Sequence, residues 1–312
     1  MQHTLLSRFR GTLLGAVMGE TYPQRPAPRI ASRASATHGP ASTYPHPVPL
    51  SQTIATATTT LIHQQLQATG SVPPAPAKTL SEYEILGALL PVILYFHEAP
   101  QELQRQIQQH LPPSASPELK AGAEVISGVI AHILQEQGSL NTFIPDLLSE
   151  RSSSPGGLLR PVESVQDLLS SRASLHTAVQ TLISTDATDN SGFISAIALA
   201  LYGWLSTPEQ GSLSILRVQH ITRTNRNFIA ALTGAFSGAH NGPFEMLNPW
   251  HTLCSPRSES VPTAAQMLSL ADQLFATWSG VLQPLHSLPV EQHIKGAAIA
   301  APGIMRPFRK GH

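Results

Sequence analysis

Acidic side chains are missing from one long stretch of this 312-residue chain: residues 21–81 hold no aspartate and no glutamate. No carboxylate metal site and no carboxylate acid–base pair can be built from that stretch alone. Cysteine is nearly absent too. Cys254 is the single one, which excludes an internal disulfide framework and a cysteine-based zinc site and fits a reducing compartment. Charged residues make up only 12% of the chain, against about 25% in ordinary globular proteins. The 19 basic and 19 acidic residues cancel, so no global charge recruits nucleic acid or an anionic membrane. No run of about 18 apolar residues is present to span a bilayer. LLGAVMG (13–19), behind Arg8 and Arg10, imitates the apolar part of a leader, but Gly15 and Gly19 interrupt it. ETYPQRP follows it in place of a small-residue cleavage site, so a soluble cytoplasmic protein is expected.

What is present reads as helix throughout. Periodicity predicts helices over 2–19, 51–68, 80–97, 99–111, 117–137, 161–171, 173–184, 192–206, 211–220, 226–240 and 263–281. Ser81 with Glu84 has the spacing of a capping box, and Pro91 is expected to kink the third of these helices or to split it. Residues 21–50 carry seven prolines and read as a long loop. SVPPAPAKT (71–79) is a second proline-rich connection. Residues 149–157 (SERSSSPGG) read as a flexible internal loop, and 299–312 as a short basic tail with Arg306, Arg309 and Lys310, too few charges for nucleic-acid binding. No alternating strand pattern and no repeat period competes. The expected fold is all-α, a compact multi-helix orthogonal bundle forming one domain over 1–312.

Two segments have small residues at helical spacing. Ala230, Ala231, Gly234, Ala235, Gly238 and Ala239 put tiny side chains on adjoining faces of one helix, and Gly11, Gly15 and Gly19 do the same near the start. The plain reading of such faces is close helix–helix packing. The order of residues adds something more specific. Phe9, Arg10, Gly11, Leu13, Leu14, Gly15 and Gly19, and the small-residue helix that follows a polar turn at 223–228, resemble the ADP-ribosylglycohydrolase family. Pro249 and Trp250 stand as a loose counterpart of its Pro-x-x-Trp element. GFISAIALALYGWLST (192–207) fits the family's helix before its metal turn. The resemblance covers roughly 8–20, 48–66 and 190–250. The family's Gly-Asn-Gly turn and Met-Arg pair have no counterpart around Ala88–Pro91.

That resemblance implies a binuclear magnesium centre held by two turns, and here both turns lack its acids. The family's Gly-Gly-Asp-x-Asp-Thr falls on Arg223, Thr224, Asn225, Arg226, Asn227 and Phe228, with amides in place of both aspartates. Its Thr-Asp-Asp-Thr falls on Leu50, Ser51, Gln52 and Thr53, where only the last threonine remains. The acid expected in the loop upstream is missing as well, and Glu20 stands where a Gly-Asp pair is usual. Hard cations favour anionic oxygen ligands, so no metal, no cofactor and no catalytic residue of the family's kind is expected. Asn225 and Ser51 read equally well as helix N-caps.

The resemblance therefore implies a catalytically inactive relative that binds. Arg223 and Arg226 would replace the metal's positive charge and hold an ADP-ribose-like or other anionic small molecule. Ser51, Gln52, Thr53, Thr224, Asn225 and Asn227 would line the same cleft with neutral hydrogen-bonding groups. A second reading is an assembly factor whose helical surface, with the 21–50 loop, meets a protein partner or a second copy. A third keeps an altered, metal-independent hydrolase, with Glu20, or Asp186 or Asp189, as its acid. Outside an enzyme, those two aspartates read as a loop and helix cap. The fourteen histidines are dispersed, and no pair has the i, i+4 spacing of a helical metal site.

Overall fold

Glycine spaced one helical turn apart determines the centre of the fold. In a computed structural model of the chain, residues 3–21, 49–66, 80–136, 139–140, 142–149, 157–184, 192–221, 225–243 and 262–281 are described. Their helices are α1 (Leu5–Thr21), α2 (Leu50–Leu66), α3 (Glu82–Phe96), α4 (Pro100–His110), α5 (Pro117–Leu134) and α6 (Phe143–Ser149). They continue as α7 (Arg160–Ser170), α8 (Leu175–Ser184), α9 (Gly192–Leu205), α10 (Gly211–Ile221), α11 (Arg226–Asn241) and α12 (Ala264–Trp278). The described residues contain no strand, and the helices pack as an all-α orthogonal bundle around one continuous apolar core.

Helices α1 and α11 run antiparallel, backbone against backbone. Gly11 meets Gly238, Gly234 meets Gly15 and Gly19 meets Ala230. A Cβ built on Gly11, Gly19, Gly234 or Gly238 would fall inside the van der Waals envelope of the opposing carbonyl oxygen. The small-residue faces read from the sequence are thus the two halves of one contact. Helix α9 lies against α11 and against α5, α7, α8 and α10. It is apolar on every side, and all residues from Ile194 to Leu205 are buried, as expected of a helix enclosed by others. Trp204 within it packs edge-on against Phe143 and His240.

The sequence-derived helices agree with these within a few residues, and the capping box forms as expected. Ser81 N–H donates to Glu84 at 2.6 Å and Glu84 N–H donates to Ser81 Oγ at 3.3 Å. Three differences have physical causes. Pro91 neither ends nor splits α3, which is continuous from Glu82 to Phe96. The ring is buried within the core, so packing offsets the one hydrogen bond that Pro91 cannot donate to Gly87. Helix α6 was not expected, because seven residues with Pro145 inside span too little sequence for a helical period to show. Arg8 and Arg10, read as charges flanking a leader-like segment, are structural. Arg8 is buried and donates to the Ile133 carbonyl, to Glu136 and to the His3 carbonyl. Arg10 makes a two-pronged pair with Asp272 at 2.5 and 2.7 Å. Most of the 21–50 and 149–157 loops, residues 71–79 and the 299–312 tail lie outside the described residues.

His97 is buried beside this frame, and His240 is half-buried. His97 is stacked among Phe9 and Trp278, and burial, the largest influence, holds its pKa below the ordinary value. Burial does the same to His240, helped by the charge of Arg8. Above about pH 6.5 both the folded and the unfolded chain carry these rings neutral. Below it the unfolded chain takes up protons that the folded chain refuses, so stability falls as pH drops toward the lowered folded-state values. Unfolding free energies from urea titrations between pH 8 and pH 5 should decline at up to about 1.4 kcal/mol per pH unit for each histidine. The double replacement His97→Phe, His240→Phe should flatten that decline. An equally steep decline in the double variant would assign it to other groups.

Candidate functional site

The polar turns singled out in the sequence lie at one end of α1. Gly19 is seated on Ala230 and Ala231 in the first turns of α11, and its carbonyl accepts from Gln219 Nε2 of α10 at 2.5 Å. Glu20, the next residue, reaches across to α2. Its two carboxylate oxygens accept the backbone N–H groups of Leu50 and Ser51 at 2.6 and 2.7 Å. Glu20 is therefore the N-terminal cap of α2, supplied by a different helix. An anion there satisfies two of the helix's unpaired donors and the positive end of its dipole.

The helix starts gather around this point. Leu50, at the start of α2, fills the space above Gly87 of α3. Tyr83, in the first turn of α3, packs on Phe193 of α9 at 4.5 Å and on Phe228 of α11 at 4.7 Å between ring centroids. These rings are second or third in their helices. The starts of α2, α3, α9 and α11 are thus joined through direct neighbours. Burial first, and the charge of Glu82 second, raise the Tyr83 pKa, so its phenol stays protonated at neutral pH. The three rings were not recognised from sequence. Their signal is positional: three of only 17 aromatic residues (nine Phe, three Trp, five Tyr) each fall in the first turn of a different helix.

Individual site residues fare differently. Ser51 is not an N-cap: α2 begins one residue earlier, and Ser51 Oγ is fully buried with no hydrogen-bond partner among the described residues. Glu20 has taken the capping role that the sequence gave to Ser51. Thr53 is buried and donates weakly to the Pro49 carbonyl, while Gln52 is exposed. Asn225 does occupy the N-cap position of α11, but in the left-handed conformation with φ 54° and with no side-chain cap bond. Asparagine tolerates that region better than most residues. Arg226 is half-buried and Asn227 exposed in the first turn of α11. Arg223, Thr224, Asp186, Asp189, Pro249 and Trp250 lie outside the described residues. Among those described, no three His, Cys, Asp or Glu side chains group as metal ligands, and no helix is long and apolar enough to cross a membrane.

A groove of about 1040 Å³ opens elsewhere, between α4 and α5, with His97 and His132 in its wall. It belongs to the opposite end of α1, because His97 packs on Phe9. Phe9 and Glu20 are eleven residues apart, or about 16 Å along a helix. No family profile and no curated protein matches the sequence.

Proposed function

We propose that this chain is an ADP-ribosylglycohydrolase-like protein that binds rather than hydrolyses, holding an ADP-ribose-like anion where the helix starts converge. One observation carries the reading: the positive ends of α2, α3, α9 and α11 adjoin at the end of α1, and converging helix starts favour anions. Support also comes from the sequence, which has neutral groups at Ser51, Gln52, Asn225 and Asn227 where the family has metal-binding acids. Glu20 already occupies the amides of α2. The ligand on this reading is directed to the start of α11, toward Arg226 and Asn227, with Arg223 just upstream.

Melting in EDTA with and without ADP-ribose tests the proposal. Ligand at about 100 times its dissociation constant adds roughly 2.7 kcal/mol, which should raise the midpoint by several degrees at about 2–4 °C per kcal/mol. The double replacement Arg223→Ala, Arg226→Ala should abolish the shift. No shift at millimolar ADP-ribose would sink the ligand assignment. Magnesium-dependent release of ADP-ribose from a modified protein would sink the non-hydrolytic part.

A further inference from the structure

The α4–α5 groove is distinct from the site just proposed and has its own chemistry. Helix α4 packs mainly on α3 and stands off α5, which leaves a space of about 1040 Å³. Sites for small molecules span about 300–1,000 Å³. Leu103, Ile107 and Leu111 line the α4 side at the spacing of one helix face.

Two imidazoles stand in the groove wall. His97 Nδ1 lies 2.8 Å from the Leu94 carbonyl. A carbonyl only accepts, so Nδ1 carries the proton and Nε2 is a bare acceptor. His132 is 8% exposed, and its Nε2 has no partner among the described residues. A buried acceptor left unpaired in the wall of a groove can be satisfied by a donor from outside the chain.

Charge is balanced. The charged lining residues among those described are Lys120 and Glu124, of opposite sign and one turn apart on α5. Gln104, Gln108 and Gln109 supply further long polar side chains, each both donor and acceptor, while Gln135 Nε2 donates to the His97 carbonyl at 2.5 Å. An ion entering the groove would lose hydration and find no net counter-charge. Glutamine amides instead pair with the donor–acceptor edges of heterocycles, and the leucine–isoleucine wall suits a flat ring better than a sugar studded with hydroxyls.

We infer that the groove between α4 and α5 is a binding site for an uncharged heterocycle bearing N–H donors, of the nucleobase or heteroaromatic amide class. Calorimetric titration of the full chain with millimolar adenosine, glucose and inorganic phosphate tests it. Adenosine should bind, and glucose and phosphate should give no heat. Gly128→Leu, which fills the groove from α5, should abolish adenosine binding. Gln108→Leu, at an exposed α4 position, should weaken it roughly tenfold and decides the matter if Gly128→Leu fails to fold. Arg223→Ala, Arg226→Ala should leave adenosine binding intact, which separates this site from the anion site. Adenosine affinity unchanged in both groove variants, binding of glucose or phosphate instead, or no heat from any probe would each overturn the inference.

Discussion

Gly238→Ala is expected to destabilise the protein by at least about 3 kcal/mol, although helix propensity alone argues the other way. Alanine in place of glycine inside a helix is worth about 1 kcal/mol in favour. At this position the new methyl would be driven into the carbonyl of Gly11. Overpacking against side chains costs about 1–3 kcal/mol because rotamers can yield. Here the obstacle is backbone on both sides, so α1 and α11 must separate, and contacts along the whole pair suffer. Native proteins have only about 5–15 kcal/mol in hand, so a low-melting or partly unfolded protein is the expected product. Circular dichroism melts of Gly238→Ala beside Gly192→Ala give the comparison. A Cβ on Gly192 meets nothing, and that variant should melt at or above the wild-type temperature. A wild-type melt for Gly238→Ala would mean that the two helices do not approach so closely.

Arg8→Met is the second large effect, with an expected loss of about 2–3 kcal/mol in urea unfolding. Methionine keeps much of the length and removes the charge. The Ile133 carbonyl, in the last turn of α5, then loses its charged donor and keeps only the long bond from Glu136 N–H at 3.3 Å, and hydrogen bonds to charged groups are worth about 1.5–3 kcal/mol. Glu136 is a lesser contributor because its side chain is 44% exposed, where water replaces much of an ion pair. Glu136→Gln should therefore cost well under half as much. A second readout identifies the cause. Arg8 lies close enough to hold down the His240 pKa, so Arg8→Met should move the His240 titration upward when followed by NMR. Equal losses for Arg8→Met and Glu136→Gln would shift the weight from the carbonyl to the ion pair.

Much of this architecture could be read from residue order, for reasons that differ by element. Glycine at every fourth position has one economical meaning, close approach of another backbone, and both halves of the α1–α11 contact were recognisable. Their pairing with each other was not, since spacing says nothing about which face meets which. Ser81 and Glu84 announced the start of α3 because a capping box is local. Pro91 does not split α3 because its cost is set by burial that only tertiary packing supplies. Glu20 took the capping role expected of Ser51 for the same reason: the cap of α2 comes from 30 residues away, beyond the reach of any local rule. The α4–α5 groove left no mark in the sequence. Gln104 and Gln108 look like ordinary surface residues of an amphipathic helix, and His97 and His132 like isolated histidines, until α4 is seen to stand off α5.

The clasp of α1 has a consequence for the birth of the protein. Gly19 is tied to Gln219 across 200 residues, and Arg10 to Asp272 across 262. Closing such loops is entropically expensive and slow, and contacts this distant in sequence delay folding. A ribosome adding about 5–20 residues per second therefore leaves the glycine face of α1 uncovered for roughly ten seconds or more before α11 exists. During that interval the apolar residues Leu13, Leu14, Val17 and Met18, all fully buried in the finished fold, have no native surface to rest on. The helix that organises the mature core is, on the nascent chain, a segment that a chaperone would have to shield.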